Sequence, residues 1–174
     1  MFVPKGILFW VFVSNVIVCF DAFFVINRPE TLKGGKYYDF FQPYELYYKY
    51  DKLYDMNNDS FVVIQSWLNV CEAIIAFIGV FLSLSSCQGK RLIGAFICLV
   101  VTTMVFWKTI IFVWYDHDWL TPEAKAFVPE AVLCYYLPSY LWIVFPLLSM
   151  IMIPKRIYSA YMSLAKGNGK TKKA

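Results

Sequence analysis

The chain has 174 residues, 60% of them hydrophobic and 20% aromatic, with a formal net charge of +4. A mean hydropathy of +0.55 excludes an ordinary soluble domain and fits one compact bundle of membrane-spanning helices; nothing in the charge points to nucleic acid. Five cysteines, Cys19, Cys71, Cys87, Cys98 and Cys134, are scattered through apolar segments without Cys-x-x-Cys or Cys/His spacing, so they read as small hydrophobes, and no disulfide frame, metal or cofactor is expected.

In chain order, the first apolar run is 6–26. Lys5 precedes it as in a signal peptide, but the run has no small-x-small cleavage pattern and carries Asp21, so it is read as an uncleaved span. The polar segment 27–60 follows, dense in Tyr and Phe from Tyr37 to Tyr54. Such amphipathic rings favour the headgroup level, which predicts an aromatic loop lying along the membrane surface, with Pro43 opening a short helix through Tyr54 and the whole able to act as a lid. Three more runs are each long enough to cross about 30 Å of hydrocarbon: 61–85, 92–115 and 132–153. The expected fold is an all-α integral membrane four-helix bundle over residues 1–160, with a basic tail at 161–174.

Charge orients the spans. The N-terminus, the turn before the third span and the C-terminal tail carry Lys5, Lys90, Arg91, Lys155, Arg156 and the tail lysines without an acid, whereas the segment 116–131 holds four acids and only Lys125. By the positive-inside rule both termini are cytoplasmic and the aromatic loop is lumenal. The chain ends Lys170-Thr171-Lys172-Lys173-Ala174, similar to the dilysine signal that returns membrane proteins to the endoplasmic reticulum; a basic tail that touches anionic lipid is the alternative.

Three ionisable residues, Asp21, Glu72 and Lys108, fall inside separate spans. A charge at membrane depth costs roughly 2.5 to 3.5 kcal/mol, so these groups are expected to face one another or a ligand. Helical spacing supports this: Gln65, Asn69 and Glu72 share one stripe, as do Tyr135, Ser139 and Trp142, while Ser14 and Asp21, and Lys108 and Tyr115, are seven apart. Counting rise per residue from the loop ends places Asp21 roughly 8 Å deep, Glu72 roughly 16 Å, and Lys108 and Ser139 roughly 10 Å, a common layer. Lys108 neutralises Asp21 or Glu72, and since one lysine cannot cancel two carboxylates, the other holds a proton or awaits a ligand. Pro138 and Pro146 free the carbonyls of Cys134 and Trp142 near the same layer. Asp21, Asn69, Glu72, Lys108, Ser139 and Trp142 are therefore the candidate ligand-binding residues.

At these positions the chain resembles the EXPERA family, which includes the emopamil-binding protein, a sterol Δ8-Δ7 isomerase, and the sigma-2 receptor. Asp21-Ala22-Phe23-Phe24-Val25 is similar to the acidic motif ending the family's first span, Val70-Cys71-Glu72 to the acid of the second, and Leu141-Trp142-Ile143-Val144-Phe145-Pro146 to the Leu-Trp-hydrophobic-Pro signature of the last. The resemblance implies a cavity open to the membrane, lined by the two acids and the tryptophan, that accepts sterols and amphiphilic amines. It also implies Asp21 and Glu72 as the catalytic pair if the chain is an isomerase. The family histidine falls at Ile17 here, the only histidine is His117 in a loop, the asparagine before the tryptophan is Ser139, and the acid of the third span is replaced by Lys108. A lysine would disfavour a nearby carbocation, so the expectation is a reticulum membrane protein that binds a sterol-like lipid, with an isomerase or an accessory subunit of a larger membrane assembly as alternatives. The partners expected are membrane lipid or sterol, and a second copy or another membrane protein.

Overall fold

The computed structural model describes residues 1–56 and 59–171. It is all-helical, with an isolated bridge between Asp51 and Leu120 as the only β pairing among the described residues. Four long apolar helices, Lys5–Ile26, Ser60–Leu84, Gln88–Asp116 and Leu137–Thr171, make it a multi-pass membrane bundle. The first starts behind Pro4, whose missing N–H is no loss there and whose carbonyl accepts Leu8 N at 2.9 Å. It ends where Asn27 Nδ2 donates back to Phe23 O at 2.8 Å. The second is capped by Asp59, which accepts Val62 N at 2.7 Å.

The helices pack in sequence order, first on second, second on third and third on fourth, while the backbones of the first and fourth stay apart and meet through side chains such as Trp10 against Trp142 and Phe145. At the termini end the second and third helices approach closely because Ala76, Gly79, Gly94 and Ala95 leave room. A Cβ added to Gly94 would lie 2.5 Å from Ser83 N, and one on Gly79 would lie 2.8 Å from Ile97 Cγ2. Lipid supplies no hydrophobic drive between helices, so close van der Waals contact of small residues is what holds this seam. Val3, Ile7, Val11, Val101 and Ile153 complete a tight core around it.

Two expectations change in the structure. The helix expected from Pro43 to Tyr54 is instead a chain of short turns, Tyr38–Phe41, Gln42–Tyr44, Glu45–Tyr48 and Lys52–Asp55. Asp51 interrupts it: its carboxylate turns inward and accepts Leu53 N at 2.9 Å, beginning a new turn. The fourth helix is longer than 132–153, because its axis runs through Pro146 and Pro154 without breaking and on to Thr171. Its entry is a π-turn over Val132–Tyr136, closed by Leu137 N donating to Val132 O immediately before Pro138. The last three residues, on which the dilysine-like pattern ends, lie outside the described residues.

Candidate functional site

Away from the small-residue seam the bundle is hollow. A cavity of about 390 Å³, within the range of small-molecule sites, opens between all four helices and the loop. Trp142 lines it and is backed by Trp10, which packs edge-on against Trp142 at 5.1 Å and stacks on Phe145 at 4.2 Å. Its roof is the aromatic loop, which contributes Pro43, Tyr44, Tyr47 and Tyr54. The roof is fastened by Arg28, whose Nη1 donates to Leu53 O at 2.8 Å and Tyr54 O at 3.2 Å, and by Thr31, whose hydroxyl donates to Phe24 O at 2.7 Å.

Every candidate residue reaches this space. Asp21, Asn69, Glu72, Lys108, Ser139 and Trp142 all line it, joined by Gln65 and Ser14 from the same stripes. Lys108 Nζ donates to Glu72 Oε2 and to Asn69 Oδ1, so the lysine pairs with the acid of the second helix and not with Asp21. Glu72 is buried in the bundle, and taking its charge out of water is offset by that ammonium. Asp21 has a different partner, the Tyr54 hydroxyl, which lies 3.1 Å from each carboxylate oxygen. Tyr44 stands in the same roof, and burial, reinforced by Asp21, pushes its phenol above the ordinary value; burial acts likewise on Tyr54. Both are therefore neutral hydroxyls, able to donate.

The smaller polar side chains satisfy themselves locally. Asn15 Nδ2 donates to Val11 O at 2.7 Å, Ser66 Oγ to Val62 O at 2.9 Å and Ser139 Oγ to Tyr135 O at 2.8 Å. Each donates to a carbonyl of its own helix and keeps acceptor capacity, and Asn15 keeps a second N–H besides. Gln65 Oε1 is buried with no partner among the described residues. The result is an apolar chamber with an ion pair at mid-depth and, under the roof, a carboxylate whose partner is the Tyr54 hydroxyl. Such a chamber can take an apolar body with one hydroxyl or amine.

Two stripe members are not at the cavity. Tyr115 is half exposed and packs on Phe61 at 4.1 Å. Tyr135 is fully buried above the roof, where its hydroxyl donates to Asp116 Oδ2. Asp116 and Asp51, both fully buried, form a second polar layer that the spacing argument did not reach. Asp116 closes a helix and Asp51 sits in a loop, positions where acids are ordinarily solvated, so the sequence offered no signal for either. Tyr44 and Tyr54 were visible only as members of an aromatic run. His117 lies in a short 3₁₀ turn beyond the third helix, outside the cavity lining, as expected. No family model matches the chain, and no curated protein or solved structure matches it either.

Proposed function

We propose that the chain binds a sterol-like lipid or amphiphile inside the membrane, with its polar group at Asp21 and its apolar body against Trp142. The observation that carries this is Asp21 itself: a carboxylate facing an apolar cavity, held by the Tyr54 hydroxyl while the one lysine lining the cavity is committed to Glu72. A ligand hydroxyl or ammonium would complete that site. The loose seam between the first and fourth helices supports entry from the bilayer, since Ile17 and Val18 on one side and Pro138 and Ser139 on the other line the cavity there. The EXPERA-like motifs at Asp21, Glu72 and Trp142 support a sterol or amine as the occupant.

An isomerase would use the same two acids, one as proton donor and one as base. With Glu72 ion-paired to Lys108 only Asp21 is free to exchange a proton with a ligand, and this favours binding over turnover. The reticulum is the proposed location, with termini cytoplasmic, on the strength of the charge asymmetry and the terminal lysines.

A photoreactive sterol added to membranes containing the full chain tests the reading. Labelling should map to the first and fourth helices and fall at least about tenfold in Asp21→Asn, the loss of one charge-assisted hydrogen bond. Unchanged labelling in that variant, or none in the parent, overturns it. Conversion of a Δ8 sterol that stops in Glu72→Gln would establish the isomerase, and stoichiometric co-purification with other membrane proteins without labelling would establish the accessory subunit.

A further inference from the structure

Above the roof, Asp51 and Asp116 face each other from two elements that are far apart in sequence. Both are fully buried, and their carboxyls lie within hydrogen-bonding reach of one another. Asp51 Oδ1 is taken by Leu53 N and Asp116 Oδ2 by the Tyr135 hydroxyl. The other two oxygens, Asp51 Oδ2 and Asp116 Oδ1, have no donor among the described residues. Two carboxylates are acceptors only, so a contact between them needs a hydrogen between them. A proton satisfies both oxygens at once. A metal ion is poorly served, because no third Asp, Glu, His or Cys joins them among the described residues.

The contact is placed where it governs the roof. Asp51 belongs to the loop and Asp116 to the end of the third helix, and the two strands of chain are also pinned by Thr121 N donating to Tyr50 O at 3.1 Å. Tyr47 connects this layer to the cavity, packing on Tyr135 at 5.9 Å and on Tyr54 at 4.6 Å, and Tyr54 in turn holds Asp21.

We propose that the Asp51–Asp116 pair is a proton-held latch: one shared proton keeps the aromatic roof closed over the cavity, and its release to water lets the roof lift. The step moves one proton and breaks one carboxyl–carboxylate hydrogen bond. After it, two charges face each other in a buried site, with the Leu53 amide and the Tyr135 hydroxyl as their hydrogen-bond donors. Burial, with Asp116 adding to it, pushes the Asp51 carboxyl well above its ordinary 3.8. The closed roof therefore binds a proton that the open, solvated roof releases. Its proton-linked stability is complete below the ordinary carboxylate value, declines as pH rises, and is gone above the raised value. The other charged groups around the pair are Arg28, which faces Asp51 from the base of the loop, and His117 and Lys125, which face Asp116; the remaining neighbours with titratable groups are Tyr47, Tyr54, Tyr135 and Tyr136. The latch concerns movement of the roof and holds whatever occupies the cavity.

Hydrogen exchange of the full chain in detergent, read by mass spectrometry over peptides spanning 44–56 and corrected for intrinsic rates, tests it from about pH 5 to about pH 9. Protection should fall with rising pH, by up to about tenfold per pH unit. Asp116→Asn can donate its amide to Asp51 without a proton, and should hold the roof with protection that no longer depends on pH. Asp51→Asn should do the same from the other side, so the test survives if one variant does not fold. His117→Gln and Lys125→Gln should keep the parent slope, displaced at most to higher pH by the loss of a cation facing Asp116. Flat protection in the parent, an unchanged slope in the folded Asn variant, or loss of the slope in His117→Gln overturns the latch. Protection restored at high pH by added calcium overturns the proton in favour of a cation.

Discussion

The termini half of the bundle and its loop half are built from the same helices and opposite side chains. In the termini half, Gly79, Gly94, Ala76 and Ala95 bring the second and third helices into backbone contact, and the space is filled. In the loop half, Asn69, Glu72, Lys108 and Tyr54 are too large and too polar to collapse, and the space stays open. Size and polarity, more than hydrophobicity, decide which half is core and which is chamber, because in lipid an apolar surface gains little by meeting another apolar surface. Apart from Gln65 Oε1, the buried polar groups of the chamber are paired, so the hollow half is held by hydrogen bonds and the solid half by contact.

That contrast can be broken from either side. Lys108→Ala should have the largest effect, about 3 to 5 kcal/mol, since it strands the Glu72 charge in the bundle; adding Glu72→Gln should recover most of it. Equilibrium unfolding in mild detergent reads both, and equal stability of the single and double variants would mean the ion pair holds nothing. Gly94→Ala follows, at about 1 to 3 kcal/mol, because the new methyl meets Ser83 N and Gly79 O, which are backbone atoms with no rotamer to escape into. The same unfolding assay checks it, and ligand-site labelling should be unaffected. Tyr54→Phe should cost about 1 to 2 kcal/mol by leaving Asp21 without its hydroxyl donor, and should loosen the roof in hydrogen exchange. Lys49→Ala, which removes the exposed ion pair with Glu130 at 2.9 Å, should leave the thermal midpoint unchanged within error.

Much of the frame was readable along the chain. Apolar run length alone yielded four spans within a few residues of the helices observed, except where the fourth ran on past Pro154, because a proline removes one hydrogen bond without forcing a helix to end. Spacing placed Gln65, Asn69 and Glu72 on one face and depth placed Lys108 opposite, because a charge in lipid has few alternatives to facing inward. Which acid Lys108 would choose was not decidable from spacing, since spacing along one helix does not say which helices are neighbours; helix order settled it by packing the third helix against the second and not the first.

By itself, then, the order of residues determined that this is a helical membrane protein with a shared polar layer, since bilayer thickness and the cost of stranded charge act on each span separately. Only the tertiary structure decided that Tyr54 holds Asp21, that Asp51 and Asp116 meet, and that the layer surrounds a cavity. Those outcomes depend on a loop folding back over the bundle. Loop conformation is set by contacts between distant segments, here Arg28 to Leu53 and Tyr50 to Thr121, and no local periodicity encodes them.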